Sequence, residues 1–384
     1  MSEVQSVLFL CDYQAPYGGN FIASLCCLGD AVAQRGLQAV YAFPAPAAGR
    51  DWYRVMAAQG RAVSTLPAAG TWAVCAALLR QIDESRAAVL HVHFGYMLPA
   101  RLAALLRPRL TLVLHQHSDF SAGRRPGIRA RLRRAGLCCI DALLGRRLRQ
   151  IYVNEAMPRG KNGLCIRNAL APNRFTDELW DRKRTRRALG LPDGTAFALL
   201  FGWSPHIKGV DVAAEALRLL HAAGHTEFVL GVVGGRAYPE ERLRAYIAET
   251  TGCTGQEAYL RFLPPLEDVF RYHRAADVML SASRSEAFPY SILEALSVGT
   301  PCVVSDIGGT AWAAALPTTQ QFRSGDPADC AAALRRAMVL REDAAFSAAR
   351  QALAAEILHD YDIHAWAAQV LEVYGLEPAS EATV

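Results

Sequence analysis

The chain has 384 residues, 52% hydrophobic and 20% charged, which is too long for one ordinary core and too apolar for a disordered chain. No apolar run reaches the roughly 18 residues a membrane span needs, because the longest candidates carry His, Arg or Pro. The net charge of +5 is unevenly placed: residues 1–175 hold 22 Lys and Arg against 9 Asp and Glu, and residues 176–384 hold 19 against 27, so the two halves are expected to have different partners.

The first residues, MSEVQSVLFLCDY, enter a strand-like run with no basic region and cleavage site, so no secretory signal is expected. Ten Cys are scattered without a C-x-x-C pair, and Cys26-Cys27 and Cys138-Cys139 fall inside apolar segments. They read as buried small hydrophobes in a reducing compartment. The expected location is the cytoplasm, with peripheral attachment to the inner face of a membrane as an option.

Val4–Leu10 reads as a buried strand, followed by a loop to Gly18-Gly19-Asn20 and a helix from Phe21 through Leu25, Leu28 and Val32 to Gly36. The glycine pair lets backbone approach a ligand, although it is not G-x-G-x-x-G. Strand and helix signals then alternate: 38–43, 62–66, 72–82, 87–93, 98–106 and 110–115. Such alternation predicts a parallel sheet covered by helices, with ligands beyond the carboxyl ends of the strands. His91, His93, His115 and His117 fall at those ends. Alternate residues on a strand share a face, as metal ligands could, but no carboxylate or Cys accompanies the two H-x-H pairs at ligand spacing, and no metal is expected. His91 and His115 read as hydrogen-bonded structural residues.

Residues 124–149 carry nine Arg and one acid, Asp141, with apolar residues at helical intervals and Gly136 as a point where the helix could break. This basic amphipathic helix reads as a solvated outer face or as a dock for an anionic membrane surface. No aromatic platforms interleave with the arginines, so nucleic acid is not the expected partner. Residues 151–154 and 163–168 close the first half, and 177–187 reads as a linker helix.

The second half repeats the plan. Phe197–Phe201 is a strand, Gly202-Trp203-Ser204-Pro205-His206-Ile207-Lys208-Gly209 a loop and Val210–Leu220 a helix. Lys208 is one of three Lys beside 38 Arg, and its place at a helix start after a glycine loop suits a phosphate. A strand and glycine loop at 228–235, a helix at 240–249 and a strand at 259–263 follow. Residues 276–310 then read as strand, loop, helix, strand, with Pro289 in the first helical turn. Glu286 lies in the loop and Glu294 in the helix, so the two carboxylates could grip two ends of an extended polyhydroxyl ligand. Helices at 326–338, 344–358 and 364–374 end the chain, and Asp360-Tyr361-Asp362 before the last of them reads as capping.

The stretch E-A-F-P-Y-S-I-L-E, Glu286 to Glu294, resembles the E-x7-E signature of retaining glycosyltransferases and looks most like glycosyltransferase family 4. Residues 202–209 resemble that family's G-R-x-x-x-x-K-G loop, Cys165–Leu170 with Phe175 its I-P-N-G-V-D-x-x-x-F junction, and Ser305–Gly309 its S-D-x-G-G loop. The resemblance implies a GT-B architecture, with two Rossmann-like α/β domains facing across a cleft. Residues 1–173 would form the acceptor-side domain and 174–363 the nucleotide-sugar domain, with the C-terminal helix, 364–384, crossing back to the first.

It also implies roles. Lys208 would hold the departing diphosphate, with Gly202, Trp203 and His206 in the same loop. Glu294 would hold the ribose, and Glu286 the hydroxyls of the transferred sugar beside Phe288, Pro289 and Tyr290. Gly235 would line the donor site and Leu263 the base. His117 would meet the donor sugar from the acceptor side, with His93, Asn20 and the Gly18-Gly19 loop nearby. The donor would be a UDP- or GDP-linked sugar, without cofactor or metal. The acceptor would be a glycan or lipid-linked hydroxyl in cell-envelope polysaccharide synthesis, or a soluble small molecule.

Departures from the pattern are Arg167 for Pro, Ala169 for Gly, Trp203 for Arg and Trp312 for Glu, with His206 or Arg284 as candidate replacements for the missing Arg. The Trp203 and Trp312 departures keep a non-catalytic partner subunit open as an alternative. A dinucleotide oxidoreductase fits less well, lacking G-x-G-x-x-G.

Overall fold

The computed structural model describes residues 5–68, 70–117, 128–157, 160, 162–171, 181–235, 237–266, 268–341 and 343–375, and gives the backbone alone for 128–134. Phe175, Arg124, Arg125 and the start of the expected linker helix lie outside the described residues. The chain divides into two compact units, Met1–Ala169 with Ile363–Val384, and Leu170–Asp362.

The first unit is a seven-stranded parallel sheet built from β1 (Ser6–Cys11), β2 (Gln38–Pro44), β3 (Ala62–Leu66), β4 (Ala87–His93), β5 (Thr111–Gln116), β6 (Leu148–Tyr152) and β7 (Gly163–Cys165), in the order β3-β2-β1-β4-β5-β6-β7. Helices α1 (Gly19–Gln34), α2 (Asp51–Ala58), α3 (Thr71–Ser85), α4 (Met97–Leu106) and α5 (Ile128–Leu144) connect the strands. A parallel strand is covered on both faces, which is why SVLFLC in β1 is apolar without alternation and buried throughout. The last helix of the chain, α15 (Ile363–Tyr374), packs on α1 and buries Trp366, Val370 and Leu371.

The second unit has six parallel strands, β8 (Ala196–Phe201), β9 (Phe228–Val233), β10 (Leu260–Leu263), β11 (Val278–Ser281), β12 (Cys302–Ser305) and β13 (Thr319–Phe322), ordered β10-β9-β8-β11-β12-β13. Its helices are α6 (Arg182–Ala188), α7 (Pro205–Lys208), α8 (Val210–Ala222), α9 (Glu240–Thr250), α10 (Phe270–Ala275), α11 (Tyr290–Ser297), α12 (Ala311–Ala314), α13 (Pro327–Leu340) and α14 (Ala344–Asp360). In each sheet the strand order reverses once, between β1 and β4 and between β8 and β11. At such a switch point the loops leaving two adjacent strands part in opposite directions and open a crevice at the carboxyl edge.

Several local expectations need correction. The basic helix α5 runs through Gly136 unbroken, since one glycine costs only about 1 kcal/mol in a helix. Arg147 and Arg149, counted toward a basic outer face, point inward: Arg147 donates to the carbonyls of Ala104, Arg107 and Leu110, and Arg149 to that of Val373. Cys138 and Cys139 are exposed rather than buried. Pro289 caps α11 from an extended conformation, φ −74° and ψ 121°, instead of sitting inside its first turn. Among the described residues, no helix is long and apolar enough to cross a membrane.

Candidate functional site

The switch point of the second unit brings together the loops after β8 and β11. The β8 loop closes into the single turn α7, and Gly209 then reverses the chain at φ 65° before α8. A Cβ at Gly209 would lie 1.9 Å from the carbonyl oxygen of Ala282, in the loop after β11. Both the positive φ and the close approach therefore require glycine there. This packing lays Lys208, whose residue is only 9% exposed, against Glu286. The two form an ion pair through Nζ and Oε1, and the Ser283 hydroxyl donates to the same oxygen at 2.7 Å.

Trp203 stands where the resembled family has Arg. It is 50% exposed, and its ring centroid lies 4.5 Å from the Lys208 ammonium. Chemically this replaces a phosphate fork with an aromatic face that stabilises the neighbouring cation. Gly235 fits under it, since a Cβ there would lie 2.9 Å from the Trp203 Cβ. Gly202 sits between Val232 and Val210 with no room for a side chain.

Arg284, a candidate replacement for the missing Arg, is paired within its own unit. Both its terminal nitrogens are held by Asp211 at 2.8 and 2.6 Å, and one also donates to the His206 carbonyl at 2.7 Å. That fork ties the β11 loop to the base of α8. The ring of His206 is exposed.

Glu294 is buried on α11, with its Oε2 3.6 Å from Nε2 of His273, which is itself fully buried. Among the described residues, neither ring nitrogen of His273 has a hydrogen-bond partner. Phe288 is also buried, stacked at 4.6 Å on Trp312 with Tyr361 beside both. Trp312 thus fills an aromatic cluster where the resembled family has Glu, and its indole donates to the Gly309 carbonyl at 3.1 Å. A Cβ on Gly309 would lie 2.1 Å from the Glu286 carbonyl oxygen, so the 305–309 loop lies directly on the Glu286 loop. Tyr290 opens α11, half-buried, while Leu263 ends β10, two strands from β8.

In the first unit four histidines meet at the carboxyl ends of β4 and β5. The register pairs His93 with His115. Nδ1 of His93 lies 2.9 Å from Nε2 of His117, Nδ1 of His115 3.3 Å from Nε2 of His91, and Nδ1 of His91 2.8 Å from the Tyr374 hydroxyl. Their rings stack, His115 on His117 at 4.2 Å and 16°. His91, His93 and His115 each offer a ring nitrogen within 4.8 Å of the other two, and among the described residues Nε2 of His93 and of His115 have no hydrogen-bond partner. Burial, reinforced by the neighbouring imidazoles, holds His91, His93 and His115 well below the usual histidine range, and burial brings His117 down to about 3. The cluster is therefore neutral at physiological pH.

His117 faces the start of α1 through Phe21, edge-on at 5.8 Å, which brings the Gly18-Gly19 turn and Asn20 into the same region. Gly19 adopts φ 59° as α1 begins. Tyr13 steadies this loop, its hydroxyl donating to the carbonyls of Tyr17 and Gly18.

The sequence reading did not single out Phe94 and Tyr96, which adopt φ 66° and 60° on either side of Gly95. Positive φ in bulky residues stores strain of order 1–3 kcal/mol. Here it turns the Phe94 ring onto His117 at 4.5 Å. The signal in the sequence was H-F-G-Y at a strand end. Ser283, three residues before Glu286, was also missed. The S-x-x-E spacing at a strand end was the available clue.

Residues 197–339 match the family described as Glycosyl transferases group 1. A D-inositol 3-phosphate glycosyltransferase of Geodermatophilus obscurus is 29% identical over 281 residues, 68% of this chain and 62% of that one. The protein of the same name from a Nocardioides species is 32% identical over 214 residues, 50% of this chain and 44% of that one. The chain thus spans less than two thirds of the length of these curated relatives. Among solved structures, Anabaena Alr3699/HepE in complex with UDP and glucose superposes with a TM-score of 0.77 at 18% identity, covering 97% of this chain and 100% of that one. WaaG, a glycosyltransferase involved in lipopolysaccharide biosynthesis, gives 0.69 at 16% identity over 96% and 99%. The fold of the chain is GT-B, with two Rossmann-like α/β units.

Proposed function

We propose that this chain is a retaining glycosyltransferase of family 4 that moves a sugar from a nucleoside diphosphate sugar to an acceptor hydroxyl. The observation that carries this reading is the Lys208–Glu286 pair, steadied by Ser283 at the switch point of a domain that matches the group 1 glycosyl transferases. Lys208 stabilises charge as it develops on the departing diphosphate, where a fixed cation in a partly dehydrated site counts most. Glu286 orients hydroxyls of the transferred sugar, and Glu294 those of the ribose. His117, which burial holds neutral, is read as a hydrogen-bonding group for the donor sugar, as the resemblance implies. This arrangement meets the leaving-group charge with the chain's own side chains and helix N-termini, and it is the basis for reading the reaction as metal-independent.

The acceptor has two readings. The curated relatives are named for an inositol phosphate, which favours a soluble phosphorylated polyol. The basic segment favours a lipid-linked acceptor at an anionic membrane surface, in envelope polysaccharide synthesis. Its case is reduced by Arg147 and Arg149, which are spent on internal carbonyls.

The deciding experiment incubates the purified chain with a panel of UDP- and GDP-sugars and candidate acceptors, follows diphosphate release, and determines the anomeric configuration of the product. Release of UDP or GDP with retained configuration is expected. An inverted product would remove the retaining assignment. Absence of turnover with every donor, despite donor binding, would favour a non-catalytic partner subunit.

A further inference from the structure

The second unit carries an arginine cluster at the amino-terminal edge of its sheet, opposite the edge that holds Lys208 and Glu286. A cavity of about 590 Å³ lies there, lined among others by Arg182, Arg274, Asp277, Thr300, Arg341 and Arg350. Asp277 directly precedes β11 and Thr300 precedes β12, which fixes the position in the fold.

Asp277 is the only acid among the described lining residues, and its side chain is fully buried. Its Oδ1 accepts from Arg182 and, at 3.0 Å, from Arg341. Its Oδ2 accepts from Arg186 at 3.1 Å and from the Phe197 N–H at 2.8 Å. Four donors saturate one carboxylate. Arg182 also donates to the carbonyls of Arg274, Ala275 and Ala276 at the end of α10. Arg182, Arg186 and Arg341 therefore have a structural purpose: they hold Asp277, which holds β8.

Arg350 is not among them. It lines the cavity from α14, and among the described residues its buried Nε has no hydrogen-bond partner. Its guanidinium carbon stands 6.0 Å from the Phe346 ring. Burial and the like charges of Arg182 and Arg341 pull its pKa below the ordinary arginine value, with Asp277 opposing them. A partly buried guanidinium beside like charges costs free energy unless something anionic completes it.

We propose that this cavity is a second binding site, for a small anion of the phosphate class, with Arg350 as its principal donor and Arg182 and Arg341 supplying the surrounding positive potential. The planar fork of a guanidinium matches two oxygens of a tetrahedral oxyanion. The volume lies within the usual range for small-ligand pockets, about 300–1,000 Å³, so a phosphorylated metabolite fits as well as free phosphate. The site adjoins Val298 and Gly299 at the carboxyl end of α11, whose amino end carries the loop of Glu286. Its ligand therefore does not touch the donor site.

The test is calorimetric titration of the full chain with inorganic phosphate at fixed ionic strength, beside Arg350→Gln and Lys208→Ala. Binding is expected to weaken roughly tenfold or more in Arg350→Gln, the equivalent of one charge-assisted hydrogen bond, and to persist in Lys208→Ala. Without phosphate, the thermal midpoint of Arg350→Gln should equal or exceed that of the parent, because an unpaired charge has been removed. A second arm floats the protein with phosphatidic acid or phosphatidylcholine vesicles. Arg350-dependent capture by phosphatidic acid alone would identify a lipid phosphomonoester as the source, and Arg350-dependent binding of phosphate without capture would identify a soluble one. Equal phosphate affinity in the parent and Arg350→Gln, loss of binding only in Lys208→Ala, or a lowered midpoint in Arg350→Gln would each overturn the proposal.

Discussion

Lowering the pH from 7.5 to 5.5 should destabilise the first unit through its histidine cluster. His91, His93 and His115 are fully buried and held neutral. His117 is half-buried, so the calculation rests on the other three. In the unfolded chain each regains an ordinary pKa near 6.5. With the folded value depressed, stability is complete above that unfolded value and is lost as the pH falls below it, since unfolding then takes up protons. Between pH 7.5 and 5.5 each ring forfeits about 1.4 kcal/mol, so three forfeit about 4 kcal/mol, a large share of the roughly 5–15 kcal/mol that holds a typical domain. Carboxylates titrate mainly below this window and thiols above it. The assay is urea unfolding across the window, with the slope of stability against pH converted to protons taken up. A value approaching three is expected near pH 5.5, falling by about one in His115→Phe whatever that variant does to absolute stability. A slope below one proton would show that the cluster is charged or open to water in the native state, and would refute the reasoning.

Lys208→Met and Glu286→Gln should each lower kcat by roughly 100- to 1,000-fold, the usual effect of removing a preorganised electrostatic partner; wild-type transfer rates in both variants would dismiss the site. Gly309→Ala should cut kcat/KM at least tenfold with the fold retained, because its methyl must displace the Glu286 backbone, and circular dichroism with steady-state kinetics would check this. Trp203→Ala removes only the ring against Lys208, so a donor KM raised about two- to fivefold, in line with a cation–π contact of about 0.5–1 kcal/mol, is the outcome to look for. His273→Phe keeps the shape of the ring and sacrifices no hydrogen bond of that ring, yet takes away the group facing Glu294. Donor KM should rise while kcat and thermal midpoint stay nearly constant, and an unchanged KM would separate His273 from donor binding.

The sequence by itself determined the α/β character of both halves, because strands buried on two faces must be written as short apolar runs, as in SVLFLC and AFALLF. It also placed Lys208 and Glu286 in loops that follow strands, and the glycine at 209, with φ 65°, is a local demand of the backbone. Only the tertiary structure decided that two loops separated by 78 positions meet in one ion pair, because the reversal of strand order between β8 and β11 is a choice among nonlocal pairings that no periodicity encodes. The same holds for the four stacked imidazoles and for Trp312, whose aromatic partners Phe288 and Tyr361 lie far apart in the chain. It decided, too, which arginines are spent: Arg284 on Asp211, Arg147 on backbone carbonyls, and Arg182, Arg186 and Arg341 on Asp277. A side chain's charge is written in the sequence, but whether that charge is free for a ligand depends on which neighbours folding brings within hydrogen-bond reach.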